Sequence, residues 1–208
     1  MSADIQWGLF VVASVLLIVT PGQDMVLVMS RSLAHGARAG VATAAGVSVG
    51  LVGHTLLATA GLGALLRAFD GLFVVMKLVG AAYLIWLGIA LLRAGATEFT
   101  AAGGGGHSAW RRFREGALSN IANPKIAVFY FAFLPQFVAV DAAHPTIAIF
   151  LLGVVFAALT FLVKAPVGLA AGRLASGLRA RPAVLTGIAR TSGVALILLG
   201  LQLALARR

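Results

Sequence analysis

Apolar residues run along this chain in six long blocks, roughly 6–30, 40–66, 71–92, 116–138, 146–171 and 184–206. Each reaches the length of about 20 residues that a helix needs to cross the hydrocarbon core of a bilayer. The pattern predicts six transmembrane helices. The second block has length to spare and can span with tilt. The fourth is least defined at its start, because Arg111, Arg112, Arg114 and Glu115 precede it closely.

Composition agrees with lipid as the solvent. Of 208 residues, 61% are hydrophobic and 11% charged, against about 45–50% and 25% in soluble domains. A single membrane domain over 1–208 is expected, with no further soluble domain. The net charge of +10 does not indicate nucleic acid, because the basic residues lie between the apolar blocks. Connections one-two, three-four and five-six hold nine arginines: Arg31, Arg38, Arg93, Arg111, Arg112, Arg114, Arg173, Arg179 and Arg181. The opposite side holds three, Arg67, Arg207 and Arg208. The positive-inside bias places the first set in the cytoplasm and both termini outside. Residues Met1–Gln6 carry no Lys or Arg, so a cleavable signal peptide is not expected. The Gly103–Gly106 run reads as a flexible linker.

Two proline motifs interrupt the blocks. Thr20-Pro21-Gly22-Gln23-Asp24 breaks the first, and Asn123-Pro124-Lys125 breaks the fourth, 103 residues later. A proline inside a membrane helix removes a backbone donor and bends or breaks the helix. A shift of 103 residues also brings block two near block five and block three near block six. Halves of three spans each enter from opposite sides, so the expected fold is two inverted three-helix repeats, about 1–95 and 108–208. Paired breaks in such repeats mark transporter binding sites.

Thr20 is expected to cap a new helix segment, with Pro21 at its first position and Gln23 completing a capping box. Asn123 and Pro124 are expected to do the same for a second segment. Both N-termini then face the membrane centre, where unpaired N–H groups seat a carboxylate. Gly22 allows close approach to the backbone. A pair of simple packing kinks is the alternative.

Ionisable residues inside spans are functional candidates by default. Asp24 and Lys125 are expected to pair, either as a static tie or as a contact that a zwitterion or a proton opens. His54 is a candidate proton carrier, or else a packed, neutral, hydrogen-bonded side chain. Lys164 and Arg190 are expected to snorkel. Lys77, Tyr83, Trp86 and Tyr130 are undecided between a cavity and the interfaces. Gly36, Gly40, Gly46 and Gly50 suit close helix crossing. Six acidic residues and four histidines are too scattered for a metal cluster. No nucleotide-binding or hydrolase motif is present, no cofactor is expected, and any work is expected to come from a gradient.

The chain resembles the LysE/RhtB family of bacterial amino-acid exporters. The likeness is carried by Thr20–Asp24, by Lys77–Gly88 with Arg93, and by Phe113–Lys125 running on to Phe133–Phe137. It departs at Gln23, where the family usually has a second proline. The resemblance implies efflux of amino acids or close derivatives across the bacterial inner membrane, with proton antiport. Family members are often homodimers. A polytopic membrane enzyme using Asp24 and Lys125 as acid and base, or a non-transporting assembly subunit, remain open alternatives.

Overall fold

The computed structural model of this chain describes the backbone of residues 5–20, 22–68, 70–93, 108–139, 142–179 and 182–205. Within them, side chains are described except at 62–68, 70–77, 91, 124, 125, 127, 128, 172–179, 182, 184, 185, 188, 189 and 203. Pro21, the Gly103–Gly106 run and the side chains of Lys77, Pro124 and Lys125 therefore lie outside the described residues.

The described residues form eight α-helices: α1 (Trp7–Val19), α2 (Gln23–His35), α3 (Ala37–Ala68), α4 (Asp70–Arg93), α5 (Ala109–Ile121), α6 (Pro124–Phe133), α7 (Pro145–Arg179) and α8 (Pro182–Leu205). A short 3-10 turn, Leu134–Phe137, continues α6. One isolated bridge, Ile5 to Val138, ties the start of α1 to the end of that turn. The expected first block is the pair α1 and α2, whose axes meet at 51°. The fourth is the pair α5 and α6, and α5 starts earlier than expected, taking in Arg111 to Glu115. The other four blocks each correspond to one helix.

Among the described residues, Ala37–Gly61 of α3 and Pro145–Ala171 of α7 are long and apolar enough to cross a membrane, and α1 with α2 counts as a third if taken as one bent span. Leu78–Ala90 of α4 is a shorter apolar stretch. The surface suits lipid: Val12, Leu56, Leu57, Leu162, Leu169 and Leu198 are exposed, while Asp24, His54, Arg112, Asn120 and Lys164 are buried. This reverses the arrangement of a soluble domain.

Helix α3 packs on α7, α5 and α2, and α4 packs on α8. Glycines set the closest crossings. A Cβ on Gly40 would lie 2.9 Å from Gly168 Cα. One on Gly46 would lie 1.9 Å from the Phe113 carbonyl oxygen, and one on Gly50 would lie 2.8 Å from Asn120 Oδ1. The α3–α5 crossing thus presses Asn120 against the backbone of α3, which is the packing role expected of Gly40, Gly46 and Gly50; Gly36 instead ends α2 at φ 86°, with open space where a Cβ would lie. Phe10, Phe129, Tyr130, Phe133, Phe137 and Phe156 fill the core between α1, α6 and α7.

Candidate functional site

The backbone at the first break shows why Thr20 sits where it does. Without Pro21 as a donor, the Leu17 carbonyl is met by Thr20 N–H at 3.2 Å. That leaves the Leu16 carbonyl, which accepts from Thr20 Oγ1 at 2.8 Å and from Ser192 Oγ of α8 at 2.9 Å. The two hydroxyls also touch, with Thr20 Oγ1 sharing its one proton between the Leu16 carbonyl and Ser192 Oγ. Thr20 therefore closes α1. The cap of α2 is Gly22, in extended conformation and with no side-chain cap bond. The expected Thr20–Gln23 capping box is not formed, because α2 is capped by Gly22 and begins at Gln23, which places Gln23 at the first helical position and not the third.

The second break follows the same logic. Pro124 cannot donate to the Asn120 carbonyl. That oxygen accepts instead from Asn123 N–H at 3.0 Å and from His54 Nε2 of α3 at 3.0 Å. A carbonyl only accepts, so Nε2 carries the hydrogen. His54 is buried and lies outside the cavity lining. The two breaks are joined directly, with Asn123 Nδ2 donating to Gln23 Oε1 at 3.1 Å. This bond brings the N-terminal end of α2 to the start of α6.

Asp24 lies in the first turn of α2. Its Oδ2 accepts from Asn120 Nδ2 at 3.0 Å and from Lys164 Nζ at 3.3 Å. Both ionic side chains are 9% exposed. Asp24 Oδ1 is buried with no partner among the described residues. The expected snorkelling of Lys164 is thus overturned: the side chain turns inward because a buried carboxylate meets it there. Arg190 is exposed, in keeping with the expectation for it. At an effective dielectric of about 20, a pair at this distance gains roughly 5 kcal/mol. Desolvation costs several kcal/mol for each ion, so the pair is poorly explained as a stabilising device.

The pair opens on a cavity of about 320 Å³, at the small end of ligand sites, which run from about 300 to 1,000 Å³. Thr20, Gly22, Gln23, Asp24, Asn123, Thr160 and Lys164 supply its polar wall. Leu17, Leu51, Leu87, Ile126, Phe129 and Phe156 supply an apolar one. Tyr83 lines this cavity, Tyr130 is core and Trp86 is exposed.

A second charged cluster joins α2 to the head of α5. Glu115 binds Arg31 at 3.2 Å, Arg111 at 3.4 Å and Arg112 at 2.7 Å. Arg112 is 2% exposed and donates to His35 Nε2 at 2.8 Å. Partial burial pushes the Glu115 carboxyl up, but the Arg112 hydrogen bond and the charges of Arg31, Arg112 and Arg111 outweigh it and hold it below its ordinary value. In the sequence these arginines read only as loop charges. The Arg112–Glu115 spacing of three residues was the available sign of a pair.

Two broken helices meet at their breaks, with a buried ion pair at one side of a small amphipathic cavity, in a chain whose exposed surface is apolar. The LysE type translocator family model matches residues 15–207, and the chain belongs to that family. It is 34% identical over 202 residues, covering 97% of both chains, to the homoserine/homoserine lactone efflux protein of Salmonella typhimurium. It is 32% identical over 153 residues, covering 73% of this chain and 72% of the other, to the leucine efflux protein of Klebsiella pneumoniae. An uncharacterized membrane protein of Pseudomonas aeruginosa is 32% identical over 203 residues, 95% of this chain and 93% of that one. No solved structure matches the chain.

Proposed function

We propose that this protein is a secondary transporter that exports amino acids or their close derivatives from the bacterial cytoplasm by proton antiport. The observation that carries this reading is the Asp24–Lys164 pair, buried beside a cavity at the joined breaks. Relatives named for the efflux of homoserine, its lactone and leucine supply the substrate class.

In this reading the chain crosses the membrane six times as two inverted repeats, about 1–95 and 108–208, with both termini outside. Shifting α1, α2 and α3 by 103 residues gives 110–122, 126–138 and 140–171. These ranges overlap α5, then α6 with its 3-10 turn, then α7, which supports the repeat. The substrate ammonium meets Asp24. The carboxylate faces the N-terminal ends of α2 and α6, where Pro21 and Pro124 create the breaks and Lys125 begins the second segment. Thr20, Gly22, Gln23 and Asn123 shape the polar wall. Gln23 also gives the second break a hydrogen-bond partner that a proline there could not.

A carboxylate can hold a proton or an ammonium, but not both at once. Protonation of Asp24 from outside and displacement of that proton by the substrate amine inside would give antiport, since each state favours a different ligand. The test is export from cells. Deleting the gene should raise the internal level of, and sensitivity to, one or a few amino acids, and restoring it should reverse both. Product formation without a gradient in purified protein would indicate an enzyme instead. Neither flux nor product would indicate an assembly subunit.

A further inference from the structure

Lys164 is the charged group at this site that neither proline motif contains. It lies on α7, two residues before Pro166, which leaves the Leu162 carbonyl without its usual helical donor. Asp24 and Lys164 both line the cavity, and neither is saturated by the other. Among the described residues Asp24 Oδ1 is buried without a partner, and Asn120 and Lys164 both converge on Oδ2. A lysine ammonium has three N–H donors, and Asp24 Oδ2 is its partner among the described residues. One open acceptor and an incompletely used cation, of opposite charge, thus share one small cavity.

We propose that Lys164 is a specificity-determining residue that reads the substrate's α-carboxylate, while Asp24 takes the α-ammonium, so that a zwitterion is recognised by parting the resident pair. This rests on the amino-acid reading above and narrows it to free zwitterions, leaving out a lactone, whose carboxyl is an uncharged ester. Binding exchanges one internal ion pair for two pairs across the ligand. The formal charge of the site is unchanged, and neither buried ion is left without a counter-ion. An amine lacking a carboxylate satisfies Asp24 but strands Lys164. An acid lacking an amine strands Asp24. A buried charge left unpaired is costly, so the same pair that admits zwitterions disfavours both half-ligands. Asn120 keeps Asp24 Oδ2 in place as Lys164 moves off it, leaving Oδ1 for the incoming amine.

The test is equilibrium binding of leucine and leucinamide to the purified protein in detergent, at about pH 6, where α-amino groups are protonated. Both ligands carry the ammonium and the same side chain, and leucinamide lacks the carboxylate. Wild type should prefer leucine. Lys164→Gln should weaken leucine about tenfold or more, the scale of a charged hydrogen bond, and should tighten leucinamide, because no buried lysine is then stranded. Asp24→Asn should weaken both. If Lys164→Gln does not fold, Lys164→Arg must keep the preference for leucine, and the charge-neutral double variant Asp24→Asn/Lys164→Gln must lose it. Equal weakening of both ligands by Lys164→Gln, or a preference that survives it, overturns the assignment. So does a preference lost in Lys125→Ala and kept in Lys164→Gln. A wild-type protein that binds neither these two ligands nor any other amino acid overturns the amino-acid reading beneath it.

Discussion

The backbone carbonyl of Asn120 accepts a hydrogen bond from His54 Nε2 at 3.0 Å, at the position that Pro124 leaves without a helical donor. The side chain of the same asparagine holds Asp24. His54 thereby supports the second break from α3, much as Ser192 supports the first from α8. His54→Ala leaves a buried carbonyl short of a donor and should cost about 1–3 kcal/mol, seen as a lower unfolding temperature in detergent. His54→Gln, which can still donate, should recover part of it and keep pH-driven transport. A stable His54→Gln protein that transports substrate but ignores the pH gradient would instead make His54 the proton carrier.

Glu115 gives a pH-dependent contribution to stability. Its carboxyl is held below the ordinary value by Arg112, Arg31 and Arg111 against the effect of burial, so the unfolded chain binds its proton more readily than the folded one. The contribution is present in full above the unfolded value, about 4.3, and is lost as pH falls through the lower folded value. Glu115→Gln should destabilise the protein at neutral pH by about 1–3 kcal/mol, because Arg112 is buried and loses a charged partner. Thermal melts from neutral to acid pH should show the wild-type advantage shrinking at the acid end. An advantage independent of pH would assign it to packing.

The helices were legible because length and apolarity alone determine whether a segment can cross lipid. Block 40–66 became Ala37–Ala68, and block 71–92 became Asp70–Arg93. Asp24 was legible as a candidate because an acid next to a helix break stands out in any apolar run, and it lies in the cavity wall. Lys164 was not. Near the end of an apolar block, a lysine that snorkels and one that turns inward have the same local sequence, and the deciding partner lies 140 residues away. The fate of Thr20 was hidden for a similar reason. A threonine at a break can close the helix before it or cap the one after it, and the help from Ser192 that favours closing comes from another helix.

Orientation is open to labelling, because the chain contains no cysteine. Single cysteines at positions 2 and 105 should behave oppositely toward an impermeant thiol reagent in intact cells. Position 2 should label and position 105 should not. The reverse pattern would invert the topology and the direction of the proposed proton movement.

Lys125 is tested by Lys125→Ala. The variant should reach the membrane folded, with a melting profile close to wild type, and should lose transport. Wild-type flux in this variant would reduce Asn123-Pro124-Lys125 to a kink and leave Lys164 as the cation of the site.

The most direct measurement of the central claim is paired flux in proteoliposomes, with and without an imposed pH gradient, for wild type and Asp24→Asn. The wild-type protein should concentrate amino acid against its gradient only when the proton gradient is applied. Asp24→Asn, whose amide still forms hydrogen bonds, should retain slow downhill exchange and lose uphill transport. Uphill transport by Asp24→Asn under the same proton gradient would contradict the account.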